Sequence, residues 1–159
     1  MLDSEVLNNS TTSEVFEFIT LSVGGQWFCV PTKYIQEIRQ WSPVTYLPGA
    51  SDVVYGAINL RGTVLPIIDL AAILGLAPQS PTERNAVVVT KCGTKMGGYL
   101  VSNASKLIKV ATDEIQPPPD IDEQSTSKFC SGTLFIEDQM IQVIAIEKLF
   151  PFGSESDAE

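Results

Sequence analysis

Between Val53 and Leu76 the chain reads V-V-Y-G-A-I-N-L-R-G-T-V-L-P-I-I-D-L-A-A-I-L-G-L, and no other stretch limits the fold as much. Two apolar runs, 53–60 and 63–70, flank Arg61-Gly62. β-Branched residues suit a pleated surface, and glycine reaches backbone angles that other residues resist, so the pattern predicts a β-hairpin. Asp69 then precedes L-A-A-I-L with Gly75 behind it, which predicts an N-cap and a stop around one or two helical turns. Pro66 has no N–H to give a ladder, so its N side must face an edge, a bulge or the end of a pairing. Arg61 is the only cation between Arg39 and Arg84. Two readings stand for it: a solvated turn residue, or a guanidinium held out by rigid strands to meet an anion or a partner.

The same grammar recurs along the chain. Residues 16–23 alternate, turn at Gly24-Gly25 and return as Q-W-F-C-V. A-V-V-V-T-K-C and K-M-G-G-Y-L-V flank Gly93-Thr94, and 129–136 with 140–145 flank Glu137-Asp138-Gln139. K-L-I-K-V, at 106–110, alternates lysine with apolar residues as an outer strand does. Y-I-Q-E-I-R-Q offers Tyr34, Ile35 and Ile38 at helical spacing, which predicts a short helix capped by Thr32 with Glu37 and Arg39 on its wet side. I-E-K-L-F predicts a closing helical turn. The loop W-S-P-V-T-Y-L-P-G-A, 41–50, carries Trp41 and Tyr46 and either packs as a lid or is displayed. At least eight short strands with token helices predict a mainly β chain of two small barrel-like lobes with a groove between them.

Residues 1–14 read as a polar lead, 15–152 as one folded domain and 153–159 as an acidic tail. The Pro-containing segment 77–85 is the expected lobe break, and the Pro-rich, acidic 113–128 the expected second crossing, with Pro117-Pro118-Pro119 an extended connector.

Composition narrows the function. The formal net charge is -9, but six of the 19 acids lie in the first 14 and last five residues, leaving 13 acids against 10 bases, about -3 for the rest. With no Lys/Arg cluster, nucleic acid is not an expected partner. No histidine is present, which removes Ser-His-Asp and Cys-His activation and every histidine metal site. Cys29, Cys92 and Cys130 are far apart and are expected as small buried hydrophobes. Paired carboxylates fall in polar turns, and Gly97-Gly98 lacks the helix a phosphate cradle needs. No apolar run approaches the roughly 20 residues that span a bilayer, and the start has no apolar leader, so a cytoplasmic location without membrane insertion is expected. No metal, cofactor or catalytic residue is expected; a histidine-free hydrolase using Asp69 or a cysteine is the competing class.

At Y-I-Q-E-I-R-Q, Y-G-A-I-N-L-R-G-T-V-L-P-I-I-D-L, I-Q-P-P-P and I-E-K-L-F the chain resembles the CheW-like family of bacterial chemotaxis coupling proteins, collinearly from about Phe16 to Phe150. The resemblance implies two intertwined SH3-like β-barrels with a hydrophobic groove between them. It implies a non-enzymatic scaffold that couples the cytoplasmic tip of methyl-accepting chemoreceptors to the regulatory domain of the histidine kinase CheA, or the corresponding coupling in a type IV pilus twitching or phototaxis system. Arg61, with Asn59 and Gly62 in N-L-R-G, matches the family's critical arginine; Ile35, Glu37, Gly56 and Val87 match positions tied to partner contact. Trp41 is added from its own loop as a residue tuning partner choice at the groove rim. Where members commonly carry an acid after the G-x-L-V strand, this chain has Ser102-Asn103.

Overall fold

A computed structural model describes residues 14–118, 129–149 and 154–155. The lead over 1–13, residues 119–128 of the Pro-rich connector and most of 150–159 lie outside the described residues. Ten strands build two sheets, joined by short helical turns. They are β1 (Val15–Val23), β2 (Gln26–Pro31), β3 (Ile35–Gln40), β4 (Val54–Leu60), β5 (Thr63–Asp69), β6 (Ala86–Cys92), β7 (Lys95–Val101), β8 (Asn103–Ala111), β9 (Cys130–Ile136) and β10 (Gln139–Ile144). A two-residue strand, β11 (Ser154–Glu155), adds to β7. One sheet has the order β8-β1-β2-β10-β9 and the other β3-β6-β7-β5-β4.

The hairpins read from the sequence are present, each for the local reason that predicts it. Gly24 and Gly25 both take positive φ in the first turn. Arg61-Gly62 and Glu137-Asp138 also carry positive φ at both central positions, the backbone that keeps two-residue turns in step with strand twist. Asp69 caps α1 (Leu70–Ile73) by accepting from the Ala72 N–H. Parallel pairing of β5 with β7 begins at Ile67↔Gly98, immediately after Pro66, so the missing N–H falls where that pairing ends. β8 lies at a sheet edge with Lys106 and Lys109 exposed, as an outer strand predicts, but the alternation does not hold: Leu107 is 51% exposed as well.

Topology corrects the expected lobe boundary. The segment 77–85 links β5 to β6, two strands of one sheet, and the span after β8 leads to β9, again within one sheet. The chain changes sheets between β2 and β3 and between β7 and β8. In chain order it is a hairpin and three strands, twice: β1–β5, then β6–β10. Each hairpin pairs with the three strands of the other half: β1-β2 with β8, β9 and β10, and β6-β7 with β3, β4 and β5. The break at 77–85 therefore separates sequence halves, not spatial lobes.

Both lobes close the same way. Past β3, Thr45 bridges to Ala57 on β4 by two backbone bonds of 2.9 and 2.8 Å. Past β8, Gln116 bridges to Thr133 on β9 by bonds of 2.9 and 2.8 Å. A glycine precedes each bridged strand residue: a Cβ on Gly56 would run into the Thr45 carbonyl oxygen, and one on Gly132 would sit 3.1 Å from that of Gln116.

The predicted helix around 34–40 is not formed. A single 3-10 turn, Thr32–Tyr34, leads into β3, which pairs with β6 from Ile35↔Thr90 to Gln40↔Ala86. Thr32 does not cap it; its hydroxyl instead donates to the Glu17 carbonyl at 3.5 Å. Spacing of Tyr34, Ile35 and Ile38 fits helix and strand alike over so few residues, and tertiary pairing decides. The faces are reversed too: Glu37 and Arg39 are half-buried while Ile38 is 41% exposed.

The largest core cluster draws Leu21, Val23, Phe28 and Val30 from one sheet and Ile68, Val88, Tyr99 and Val101 from the other. Two smaller clusters fill the individual lobes, one around Phe18, Leu134 and Val143 and one around Leu65, Val87 and Leu100. Tyr99 lies in the shared cluster and donates its hydroxyl to the Leu149 carbonyl at 3.2 Å. Cys29 and Cys130 are buried as expected, but Cys92, at the end of β6, is only half-buried.

Asp69 does more than cap. Its buried carboxylate accepts from the Gln79 backbone N–H at 3.0 Å and the Gln79 side-chain amide at 2.9 Å, which pins 77–85 against the barrel. Replacing it leaves three donors unmatched, so Asp69→Ala is expected to lower unfolding free energy by about 2–4 kcal/mol, read by urea denaturation. A loss under about 0.5 kcal/mol would show that water replaces the carboxylate without cost.

Candidate partner-binding site

At the tip of the β4–β5 hairpin Arg61 holds φ at 52° and Gly62 at 88°. Glycine reaches such angles freely; an arginine does so against its Cβ. Asn59 steadies the turn, its side-chain oxygen accepting the Gly62 N–H at 2.8 Å. The Arg61 side chain reaches across to Glu37 on β3, Nη2 to Oε1 at 2.9 Å, and Arg39 takes the other carboxylate oxygen at 3.1 Å. β3 and β4 are the two outer strands of this sheet, so the Arg61–Glu37 pair spans the seam where the barrel closes.

The triad is charged and wet, with Arg61 exposed and Glu37 and Arg39 half-buried. The Arg61 side chain is 69% exposed and that of Glu37 29%. A pair this wet contributes well under about 1 kcal/mol. Hydrogen bonds from Arg61 first, then Arg39, hold the Glu37 carboxyl below the usual carboxylate range. Two arginines on one carboxylate leave an excess of one positive charge and several free guanidinium N–H donors, which suits a carboxylate on another molecule.

The other expected residues divide between surface and support. Ile35 is half-buried against the shared core. Val87 is 3% exposed, belongs to the core cluster of the second lobe and lies opposite Arg39 in the β3–β6 register. Gly56 is buried and makes room for the Thr45 bridge. Trp41 is half-buried, edge-on to Tyr55 with centroids 5.6 Å apart, while Tyr46 on the same loop is 75% exposed. The loop thus both packs and displays, one aromatic to each task. Tyr55 in turn donates to the Gln79 carbonyl at 2.7 Å, and burial, then the nearby Asp69 carboxylate, pushes its hydroxyl pKa up.

A cleft lies elsewhere. Its volume is about 360 Å³, and it is lined by Val15, Phe16 and Phe18 of β1, Pro31 to Tyr34, Ile115, and Val143 to Ala145, with Glu17, Lys33 and Glu147 supplying charge. It lies where the chain passes from the first sheet to the second. Arg61 is not among its lining residues, so the structure presents an apolar cleft and a cationic tip as two surfaces. Sequence reasoning set Arg39 on a wet helix face and not in the site, although its spacing of two from Glu37 is the strand signal, and it expected a groove without naming the lining of this cleft, which pairs residues more than 100 positions apart. Among the described residues no cluster of three His, Cys, Asp or Glu could hold a metal ion, and no helix is long and apolar enough to cross a membrane.

Two interleaved barrels of this kind are the fold of a CheW-like domain. The family model of that description matches residues 17–152, and the chain belongs to the family. It is similar to the probable chemotaxis protein CheW of Rhizobium etli, 42% identical over 90% of this chain and 90% of the relative. Similar too is the chemotaxis protein CheW of Rhizobium meliloti, 41% identical over 85% of this chain and 87% of the relative. The crystal structure of the scaffolding protein TtCheW from Thermoanaerobacter tengcongensis has the same fold, with a TM-score of 0.75 at 22% identity, covering 82% of this chain and 89% of that one.

Glu37 carries the electrostatic prediction. A carboxyl whose folded pKa is lowered adds stability above its ordinary pKa and loses it as pH falls through the lowered value. Arg61→Ala removes the largest cause, so the Glu37 carboxyl, followed by NMR through an acid titration, should titrate at higher pH than in the unaltered chain. An unchanged titration would mean Arg39 alone sets it.

Proposed function

We propose that this chain is a non-enzymatic adaptor that couples the cytoplasmic tip of methyl-accepting chemoreceptors to the regulatory domain of the histidine kinase CheA. The relatives carry the name of a chemotaxis protein and the structural neighbour that of a scaffold. The observation that carries the reading is Arg61 itself: an exposed arginine kept in left-handed backbone, where Asn or Gly would sit more comfortably. Strain of this kind, on the order of 1 kcal/mol, persists where the side chain is needed.

The division of labour follows from the two surfaces. The cleft accepts the apolar stripe of a receptor helix, and the Arg61–Glu37–Arg39 group meets charged side chains beside it, fixing orientation. Tyr46, displayed by the loop that Trp41 anchors, adds an aromatic contact at the rim. The barrels offer outer strands and turn ends to a second barrel, the kinase's regulatory domain. The scaffold works in the cytoplasm, held at the membrane by its partners.

Hydrolysis fits the groups poorly. The Asp69 carboxylate is buried and accepts from three N–H donors of the chain itself, so it serves the fold rather than an open site. Burial pushes the Cys130 thiol pKa up to about 12 and that of Cys29 higher still, which keeps both protonated and unreactive.

Arg61→Asn separates fold from coupling. Asn tolerates left-handed backbone, so stability should stay level or rise by up to about 1 kcal/mol. Assembly of the ternary complex with receptor and kinase fragments should weaken by about ten-fold or more, a loss of roughly 1.4 kcal/mol or greater. Unchanged assembly by analytical ultracentrifugation would remove Arg61 from the binding surface.

A further inference from the structure

The two halves of the chain can be laid on one another by their turns. β1-β2 turns after Val23↔Gln26 and β6-β7 after Cys92↔Lys95, so counting back three from each turn sets Thr20 against Val89. Val89 faces Glu37 on β3. The Thr20 hydroxyl is bonded to the backbone of Lys106 on β8, accepting its N–H at 3.1 Å and donating to its carbonyl at 3.3 Å. The register shifts beside both residues. The hairpin tips match as well: Leu60↔Thr63 encloses Arg61-Gly62, Ile136↔Gln139 encloses Glu137-Asp138, and Arg61 and Glu137 both hold φ at 52°. Lys106 therefore stands in the first lobe where Glu37 stands in the second, and Glu137 stands where Arg61 does. The charges are exchanged.

The two mouths differ in what their charges do. In the second lobe Arg61 and Glu37 meet at 2.9 Å. In the first, Lys106 and Glu137 line one cleft of about 240 Å³ with Thr20, Trp27, Ile136 and Ile141, and no ion pair joins them. A bulge shapes its wall. Between Leu107 and Ala104 two residues of β8, Ser105 and Lys106, oppose Thr20 alone on β1. Consecutive strand residues ordinarily point to opposite faces, yet both of these line the cleft, which is how a bulge re-aims a side chain at a barrel rim. Trp27, Ile136 and Ile141 supply the apolar wall. At about 240 Å³ the space falls below the roughly 300–1,000 Å³ of drug-sized sites, so its guest is small.

We propose that this mouth is a binding site for a small amphipathic zwitterion, the chemistry of a free apolar amino acid. The carboxylate meets Lys106, the ammonium meets Glu137, and the apolar side chain lies on Trp27, Ile136 and Ile141. An anion alone would face Glu137 and a cation alone would face Lys106; a guest with both charges matches both walls. The site is apart from the Arg61 tip and the first cleft, so it stands or falls independently of the coupling function.

The test titrates L-phenylalanine into the full chain and follows amide and indole N–H signals by NMR. Saturable shifts should centre on Thr20, the Trp27 indole, Lys106 and residues 136–141, with a Kd of about 1 mM or tighter for a guest of this size. N-Acetyl-phenylalanine, without the ammonium, and phenylalanine amide, without the carboxylate, should each bind at least about three-fold more weakly. Glycine, with both charges and no side chain, should give no saturable shifts. Lys106→Gln and Glu137→Gln alter exposed side chains and should keep the circular dichroism of the unaltered chain. Each should weaken L-phenylalanine about three-fold or more, while Lys109→Gln on the same strand leaves its affinity unchanged. No saturation by about 10 mM, shifts centred elsewhere, equal binding of glycine or of a blocked form, or unaltered affinity in either mouth variant would each overturn the proposal.

Discussion

The constraint on which everything else rests is the exchange of hairpins between the two halves of the chain. β1-β2 cannot complete a sheet with β3, β4 and β5, because those strands are completed by β6-β7. Neither half of the sequence can bury its own apolar faces alone. The cluster holding Phe28, Ile68, Tyr99 and Ile144 is built from both sheets at once, and the Tyr99 hydroxyl reaches the Leu149 carbonyl, closing the last turn onto it. A lobe of five short strands is marginal by itself; sharing one core lets two such lobes stand.

That shared core is also what makes the surfaces useful. The adaptor role proposed above depends on holding contact groups at fixed separation. Arg61 sits on a two-residue turn between paired strands and is tied across the barrel seam to Glu37; the cleft sits at the crossing between sheets. Each is mounted on backbone that cannot shift without disturbing the common interior. The weak, wet ion pair is consistent with this: its geometry matters more than its contribution to stability.

The hairpins were legible because their turns demand particular residues. Gly24-Gly25 and Arg61-Gly62 announce positive φ, and the alternation around them sets the strands. Asp69 as a helix cap was legible for the same local reason, whereas its hold on Gln79, ten residues on, was not. β3 was misread because Tyr34, Ile35 and Ile38 satisfy two periodicities, and only the partner β6 chooses between them. The break at 77–85 was found but misassigned: composition marks where one sequence half ends, and cannot say which hairpin pairs with which strands. Val87 and Gly56 came from the family resemblance as contact positions, yet one is core and the other spares room for a carbonyl. A change at either would disturb the packing of this lobe.

The two tryptophans give a direct test of one frame. Trp27 packs on the cluster inside the first lobe and Trp41 on that inside the second. Trp27→Phe and Trp41→Phe each leave a single reporter in one lobe, and urea unfolding followed by its fluorescence, with circular dichroism on the same samples, measures each lobe separately. Within each variant, the fluorescence and circular dichroism midpoints should coincide, with slopes that match loss of the whole fold. A reporter that unfolds ahead of the remaining secondary structure would contradict the account, since it would mean the lobes stand independently and the shared core does not bind them.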